Sequence, residues 1–134
     1  MITVVTRWED TQMPQEVEFQ MWRQLRGSFG IDRLIFVPTH HKMEGYSFEQ
    51  YDSIEEALET CKGERVFLEP TGYKSVTKIP HGDIVLIIGN TNLDNMKHAQ
   101  VNETYRIDTP AGPTKAHLFG SNAAAIALAI RWGQ

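Results

Sequence analysis

The stretch DIVLIIGNTN, residues 83–92, constrains the fold more than any other part of the sequence. Its apolar run from Ile84 to Ile88 stops at Gly89, and polar residues follow immediately. An uninterrupted apolar run of this length is typical of a strand that is covered on both faces, as in a parallel sheet. Ligands of such sheets bind outside the carboxyl ends of the strands. The stretch therefore predicts a buried parallel strand that ends at a binding site, where glycine would let a ligand approach the backbone.

Strand-like and helix-like segments alternate along the rest of the chain. The apolar and β-branched runs that predict strands are residues 2–8, 33–39, 64–70, 83–89 and 104–110. A helix is predicted after Pro14, with an apolar stripe at four-residue spacing formed by Val17, Met21, Leu25 and Phe29. A short helix follows the capping box of Ser53 and Glu56, and an alanine-rich helix covers residues 121–132. This alternation predicts one α/β domain, residues 1–134, with a mainly parallel sheet and helices on both faces.

Three loops in this scheme follow the carboxyl ends of predicted strands. They begin after Leu68, after Ile88 and after Ile107. Because these ends meet at one edge of a parallel sheet, we expect the three loops to form the site. Residues 40–48 are predicted to be an exposed loop, and residues 93–99 a brief helix.

The composition of the chain excludes several classes of protein. Its 134 residues suit one domain, and Cys61 alone forms neither a disulfide framework nor a thiolate zinc cluster. The sequence has no signal-peptide pattern, and no apolar run reaches the roughly 18 residues of a membrane span. We therefore expect a soluble, cytoplasmic protein. A net charge of −4 gives no general support for nucleic-acid binding, although a local basic patch would suffice.

The second half of the chain carries three segments in a recognisable order. They are IIGNT at 87–91, RIDTP at 106–110 and HLFGSNAAAIAL at 117–128. They resemble the C-terminal signature of the SpoU-type 2′-O-ribose RNA methyltransferases of the SPOUT superfamily. That signature is a strand ending in Gly-x-Glu, a strand carrying Ile-Pro, and a Ser-x-Asn segment that opens an alanine-rich helix. The N-terminal half agrees in outline through ITVV, Pro14, SFG and RLIFV, so the resemblance covers nearly the whole chain.

The resemblance implies a deep trefoil knot in the C-terminal third, with S-adenosylmethionine bent in the knotted loops. Backbone groups would hold its adenine at Leu68, Gly89, Ile107 and Leu118. Further cofactor-binding positions predicted in the same loops are Ile88, Asn90, Thr91, Thr109 and Gly112. The resemblance also implies an RNA substrate, tRNA or rRNA, and a homodimer through the first and last helices. Each site would then combine cofactor loops of one subunit with basic helix residues of the other.

The catalytic positions of the family are less closely matched. Its Asn, Gly and Arg along the first helix fall on Glu18, Gln20 and Gln24, and its strand-end Glu falls on Thr91. Arg23 lies one position away from the family's arginine. With a one-residue shift in helix register, its guanidinium would stabilise the developing oxyanion of an RNA 2′-hydroxyl.

Further candidates follow from the same resemblance. The final Asn of the family falls on Phe119, whereas Ser121 and Asn122 align with a later Ser-Asn and are the other catalytic candidates. The basic residues that we predict to contact RNA are Arg23, Arg26, Arg33, Lys42 and Lys115.

Other interpretations stay open. A chain that kept the cofactor pocket but lost the transfer chemistry would be a regulatory or RNA-binding module, which the unmatched catalytic positions and the acidic balance favour. An α/β domain of unrelated function is a weaker alternative. Gly89 would then simply end a strand, and the arginines of the first helix would be solvated.

Metal binding and base stacking are not favoured by the sequence. The adjacent His40 and His41 point in different directions, and no carboxylate or thiol lies at ligand spacing from a histidine. Trp8, Trp22 and Trp132 are more typical of packing or an interface than of a platform for bases.

Overall fold

The fold is built on one sheet of parallel strands. The computed structural model describes residues 1–112 and 117–134. Its strands are β1 Ile2–Arg7, β2 Arg33–Val37, β3 Glu49–Gln50, β4 Glu64–Leu68, β5 Lys74–Ser75, β6 Ile84–Ile88 and β7 Thr104–Arg106. Its helices are α1 Gln15–Phe29, α2 Ile54–Glu59 and α3 Gly120–Trp132. Within this part of the chain the strand order is β3-β2-β1-β6-β4-β7-β5, and every pair is parallel.

Strand β6 lies at the centre of the sheet, between β1 and β4. Leu86 of β6 is in register with Val4 on one side and Val66 on the other, and none of the three side chains is exposed. All five residues of Ile84–Ile88 are buried. The buried parallel strand predicted from the uninterrupted apolar run is therefore confirmed.

Helices cover both faces of the sheet. Leu86 belongs to a core cluster that includes Trp22 of α1 and Leu128 of α3. The next residue, Ile87, belongs to a second cluster with Ile54 of α2. Because successive side chains of a strand point to opposite faces, α1 and α3 cover one face and α2 covers the other, as predicted.

The buried face of α1 differs from the predicted apolar stripe. Val17 is 51% exposed and Met21 is half-buried, whereas Glu18, Phe19 and Trp22 are buried. Only the last two members of the stripe pack against the core. The prediction counted apolar residues alone, and it could not include a buried carboxyl whose oxygens accept hydrogen bonds from inside the chain.

An aromatic cluster fills the carboxyl ends of β1 and β2. We define it as Trp8, Phe19, Phe36 and Phe48. The rings of Trp8 and Phe36 stack with centroids 4.0 Å apart, and Phe48 lies 4.8 Å from Phe36 and 4.5 Å from Phe19. The indole N–H of Trp8 donates to a main-chain carbonyl at 3.0 Å, so its polar atom is satisfied. The prediction that Trp8 and Trp22 are packing residues is confirmed.

Segments between the main elements depart from the prediction in detail. Residues 40–48 are predicted to be exposed, but Met43 lies in a 3-10 turn and is fully buried. The loop between β4 and β6 contains the short edge strand β5 and buried Val76. The brief helix predicted at residues 93–99 is only the 3-10 turn Met96–His98. In these segments the few apolar residues are too widely spaced to show a period.

The strand predicted at residues 104–110 is shorter than expected. It ends at Arg106, because β7 pairs over two residues with β4 and over two with β5. No described strand pairs with residues 107–110. These residues are free to turn at the edge of the sheet, and they contribute to the site described below.

Candidate functional site

A cavity lies at the carboxyl ends of β4, β6 and β7. Its walls come from the loops that follow these strands and from the start of α3. All nine residues predicted to bind a cofactor line it: Leu68, Ile88, Gly89, Asn90, Thr91, Ile107, Thr109, Gly112 and Leu118. The structure thus brings three separate loops together at the edge where parallel sheets bind ligands. The role of these residues in binding a cofactor stays a prediction.

Asn90 fixes the loop after β6. Its side-chain carbonyl accepts the main-chain N–H groups of Asn92 and Leu93 at 2.9 and 2.6 Å. Its side-chain N–H donates to the main-chain carbonyl of Trp8 at 2.8 Å. The same side chain therefore closes a tight turn and ties that turn to the end of β1.

The turn itself requires a glycine at position 89. A Cβ at Gly89 would collide with the main-chain carbonyl of Leu93. The predicted reason for this glycine is that a Cβ would obstruct a ligand. That reason is wrong, because the Cβ would face Leu93 of the same loop. Gly120 is restricted in a similar way, since a Cβ there would lie 2.9 Å from Cγ2 of Ile88. Substitutions at Gly89 would test the folding of the loop and not the binding of a ligand.

A buried carboxyl, Glu9, connects two walls of the site to the loop after β1. It is 1% exposed. Its Oε2 accepts the main-chain N–H and the hydroxyl of Thr91 at 3.1 and 3.0 Å, and its Oε1 accepts the main-chain N–H of Gly120 at 3.2 Å. Gly120 begins α3, where the helix dipole favours a negative charge. Glu9 therefore holds together the loop after β1, the loop after β6 and the start of α3.

A second buried carboxyl, Glu18 of α1, lies beside Glu9. Its Oε1 accepts the main-chain N–H of Glu9 at 2.8 Å, and its Oε2 accepts the indole N–H of Trp22 at 3.4 Å. Burial raises the pKa of Glu18 to about 7, against the lowering effect of these hydrogen bonds; the charges of Glu9 and Asp10 raise it further. A group that titrates near neutral pH thus contacts the residue that holds the site together.

A third buried carboxyl, Glu69, lines the cavity itself. It is 4% exposed, and its Oε1 accepts the main-chain N–H of Asn95 at 3.2 Å. The side-chain oxygen of Asn95 accepts Nε–H of Arg7 at 2.7 Å. Burial raises the pKa of Glu69 to about 7; the Asn95 N–H lowers it and the charge of Asp94 raises it. Glu69 is therefore a carboxyl inside the cavity that gains or loses a proton near neutral pH.

Comparisons with known proteins concern the fold. No family model and no curated protein matches the chain. Among solved structures, the chain is similar to a protein whose structure is described as giving structural insights into the 2-OH methylation of C/U34 on tRNA. The match has a TM-score of 0.69 at 16% sequence identity and covers 99% of this chain and 90% of the other. The two chains share a fold. At so low an identity, the likeness shows the architecture and leaves the chemistry of the site to the residues themselves.

The catalytic candidates do not line the cavity of their own chain. Arg23 is exposed on α1, and Asn122 is exposed in the first turn of α3. Ser121 is 5% exposed, and its hydroxyl has no hydrogen-bond partner among the described residues. The neighbours of this Ser-Asn pair, Gly120 and Ala123, do line the cavity. Ser121 and Asn122 are thus next to the site, whereas Arg23 reaches it only if a second subunit supplies it.

Among the basic candidates, Arg33 is engaged within the chain. Its guanidinium donates to both carboxylate oxygens of Glu49 at 2.6 and 2.8 Å and to the main-chain carbonyl of Thr60 at 2.9 Å. A paired and bidentate arginine of this kind has its charge neutralised. The structure therefore favours a role in tying β2 to β3 and to the end of α2 over a contact with RNA.

The other basic candidates have fewer partners. Arg26 donates one long hydrogen bond, 3.5 Å, to a main-chain carbonyl, and Lys42 is exposed. Lys115 lies outside the described residues. Arg23, Arg26 and Lys42 stay predictions for contact with RNA.

Two negative findings apply to residues 1–112 and 117–134. No group of three or more His, Cys, Asp or Glu side chains is arranged to hold a metal ion. No helix is long and apolar enough to cross a membrane.

Sequence reasoning missed the three buried carboxyls, although two of them left a signal. Glu69 follows β4 directly and Glu9 follows β1 after one residue. An acidic residue just beyond an apolar strand lies at the ligand-binding edge of the sheet, so it is worth considering as part of a site. In the sequence, Glu18 is only an unmatched position of the first helix. Its burial gave no signal, because an acidic residue in an amphipathic helix is usually solvated.

Proposed function

We propose that this protein is an S-adenosylmethionine-dependent RNA methyltransferase that acts on ribose 2′-hydroxyl groups of tRNA or rRNA. The observation that carries the proposal is that nine predicted cofactor-binding residues, from three loops and the segment before α3, line one cavity. The fold shared with a protein of tRNA 2-OH methylation supports it independently. Neither observation depends on the catalytic positions, which match the family least well.

The lining of the cavity suits an adenosine-containing cofactor. Leu68, Ile88, Ile107 and Leu118 offer apolar walls for a flat ring, and the main-chain groups of the same loops offer hydrogen bonds at its edge. Backbone recognition tolerates changes of side chain. When bound, S-adenosylmethionine would supply an electrophilic methyl group.

The proposed enzyme is a homodimer through α1 and α3. These helices contact each other and therefore form neighbouring parts of one surface. They expose large apolar side chains, with Val17 51%, Ile126 37% and Trp132 85% exposed. Exposed apolar surface of this kind marks interfaces, and a closed two-fold dimer is the commonest assembly. The dimer would cover these side chains and bring Arg23 of one subunit to the cavity of the other.

In this arrangement the chain would act through electrostatics. The guanidinium of Arg23 would face the 2′-oxygen of the RNA and stabilise the negative charge that develops there as the hydroxyl proton passes to solvent and the oxygen accepts the methyl group. Ser121 and Asn122 lie in the first turn of α3, next to the cavity wall, and stay candidates for contacts with the ribose.

The proposal includes a topology and a location. We propose that residues 1–134 form a single domain, that its C-terminal third makes a deep trefoil knot, and that the protein is cytoplasmic. A crystal structure in which the chain is traced through residues 104–134 tests the knot.

The activity is tested by incubating the protein with methyl-labelled S-adenosylmethionine and total tRNA or rRNA. The expected result is label in RNA, and nuclease digestion followed by mass spectrometry should assign it to a ribose 2′-oxygen. Calorimetry with S-adenosylhomocysteine is run beside it. If neither RNA accepts label and the cofactor product does not bind, the proposal is wrong.

A second candidate function is a binding module without transfer chemistry. The observation that favours it is that no residue of α1 lines the cavity and that the described lining contains no arginine or lysine. Cofactor binding without transfer to any cellular RNA would decide for this candidate.

A further inference from the structure

One buried side chain in the cavity keeps a carboxyl oxygen without a partner. Glu69 is 4% exposed and lines the cavity. Its Oε1 is held by the main-chain N–H of Asn95 at 3.2 Å, whereas no described residue donates to its Oε2. Oε2 is not one of the fully buried side-chain atoms that lack a partner in the described part of the chain, so it is open to the cavity. It is therefore available to a hydrogen-bond donor of a ligand in that cavity.

The described residues around Glu69 do not donate to Oε2. Arg7, a cation linked to Glu69 through Asn95, uses its Nε–H on the side-chain oxygen of Asn95 at 2.7 Å. The other titratable side chains on the cavity wall are Asp94, Tyr105 and His117, and none of them forms a hydrogen bond with Glu69 in the described part of the chain. Arg7 thus orients Asn95, which positions Glu69, and Oε2 of Glu69 stays available.

We propose that Glu69 is a specificity-determining residue of the cavity, whose carboxylate accepts a hydrogen bond from an N–H or O–H group of an adenosine-based cofactor. This inference rests on the proposed function, which supplies the ligand class. S-Adenosylmethionine offers three such donors: the adenine amino group, the ribose hydroxyls and the α-ammonium group. Backbone carbonyls accept from any of them equally, whereas a buried carboxylate selects strongly for a ligand that carries a donor at one place.

Proton release is the measurable consequence. A donor at Oε2 favours the ionised carboxylate, so the proton that Glu69 carries must leave when the ligand binds. Because burial raises the pKa of Glu69 to about 7, part of the free protein is protonated at pH 7, and binding there should release a fraction of a proton. The affinity should rise between pH 6 and pH 8 for the same reason.

The experiment is isothermal titration calorimetry with S-adenosylhomocysteine at pH 6, 7 and 8, in two buffers of different ionisation enthalpy. Glu69→Gln keeps an acceptor for the Asn95 N–H but removes the charge. It should bind about 10- to 100-fold more weakly at pH 8, as expected for the loss of a charge-assisted hydrogen bond. It should also release no proton.

Two matched variants separate Glu69 from other titrating groups. His117→Asn removes a titratable side chain of the cavity wall, and Glu18→Gln removes the other carboxyl whose pKa burial raises to about 7. Both should still release a proton on binding. If His117→Asn or Glu18→Gln abolishes the release, the assignment to Glu69 is overturned.

Analogues identify the donor. S-Inosylhomocysteine lacks the adenine amino group, and 5′-methylthioadenosine lacks the α-ammonium group. The 2′-deoxy and 3′-deoxy forms of S-adenosylhomocysteine each lack one ribose hydroxyl. Wild type and Glu69→Gln should bind with equal affinity the analogue that lacks the donor contacted by Glu69. If the substitution weakens all four analogues by the same factor as the parent ligand, the specificity role is overturned.

The outcomes distinguish this inference from the proposed function. If S-adenosylhomocysteine does not bind wild type at any pH, the proposed function fails. If it binds wild type and Glu69→Gln with equal affinity and equal proton release, this inference fails and the proposed function stands. Thermal melting of the free variant checks that it folds. Should it not fold, the proton release of wild type and His117→Asn decides, and zero release from wild type overturns the inference.

Discussion

The carboxyl edge of the sheet ends in two different ways. After β1 and β2, the aromatic cluster of Trp8, Phe19, Phe36 and Phe48 fills the space with rings in contact. After β4, β6 and β7, the loops leave a cavity with both apolar and polar walls. All five strands are parallel and end on the same side, so strand geometry does not decide where the edge opens. The edge is closed where the large rings of β2, α1 and the neighbouring loops pack together, and it is open elsewhere.

The filled end and the open end meet at Glu9. The residue follows Trp8 of the aromatic cluster, and its carboxyl oxygens accept hydrogen bonds from Thr91 and Gly120 of the cavity wall. The aromatic cluster therefore fixes the position of Glu9, and Glu9 in turn holds the cavity wall at Thr91 and Gly120. The predictions below test how far the two ends can be separated.

The largest effect is expected from Trp8→Ala at the filled end. Trp8 is 1% exposed and stacks on Phe36. Replacing a buried tryptophan by alanine leaves a cavity and costs about 3–5 kcal/mol of the free energy of unfolding. Urea denaturation measures it. Tyr73→Ala is the matched control near the open end, because Tyr73 is 63% exposed, and it should change stability by less than about 0.5 kcal/mol. Equal losses in the two variants would contradict the division into a filled and an open end.

Arg23→Ala tests whether α1 of one subunit contributes Arg23 to the cavity of a partner subunit. The variant should lose about 100- to 1000-fold in the rate of methyl transfer, as expected for an oxyanion-stabilising donor. Its affinity for S-adenosylhomocysteine should not change, because Arg23 does not line the cavity. Single-turnover assays with cellular RNA measure the rate.

Arg26→Ala is the comparison for that prediction. It should weaken RNA binding in a salt-dependent manner, as the loss of a phosphate contact does, with little change in the rate at saturating RNA. If Arg23→Ala transfers methyl groups as fast as wild type, α1 makes no catalytic contribution.

Glu9→Ala tests the connection between the two ends. The change leaves the main-chain N–H groups of Thr91 and Gly120 without their acceptor. Leaving buried donors unsatisfied costs about 1–3 kcal/mol, and affinity for S-adenosylhomocysteine should fall because two walls of the cavity loosen. Glu16→Ala, an exposed acidic residue of the same region, should change neither stability nor affinity. A Glu9→Ala protein with normal cofactor affinity would show that the open end holds its shape alone.

The smallest effect concerns pH. Burial raises the pKa of Glu18 from 4.5 to about 7. Between these two pH values, the folded protein therefore holds a proton that the unfolded chain has lost. Stability from this group is therefore greatest below pH 4.5 and declines as the pH rises towards 7. In Glu18→Gln the loss of stability between pH 5 and pH 8 should be smaller by about 1–3 kcal/mol. Urea denaturation at the two pH values measures it, and an unchanged difference would show that Glu18 is not protonated in the fold.

Most of the fold could be predicted from local patterns. The run Ile84–Ile88 indicates a buried central strand because both faces of a parallel sheet are covered, and the alanine-rich segment indicates α3. The face of α1 could not be predicted, since Glu18 is buried by hydrogen bonds to residues that the periodicity does not show. The short edge strands β3 and β5 depend on neighbours distant in sequence, such as Ile35 and Tyr105.

The site could be located but not described. Strand ends identify the three loops, because chain direction alone brings them to one edge. The contacts among the loops could not be predicted, since they join residues far apart in sequence, as Asn95 does with Arg7 and with Glu69. The reason for Gly89 was also out of reach, because the carbonyl of Leu93 approaches it only in the folded turn.

Glu9 also bears on how relatives of this chain can be recognised. A linear motif sees only a threonine at position 91. Both donors of Thr91 nevertheless contact a carboxyl group, supplied from a loop 82 positions earlier in the chain. An acidic group thus lies beside the site although position 91 itself is not acidic. A comparison of superposed coordinates that scores the location of charge would detect this group, whereas a linear motif would miss it.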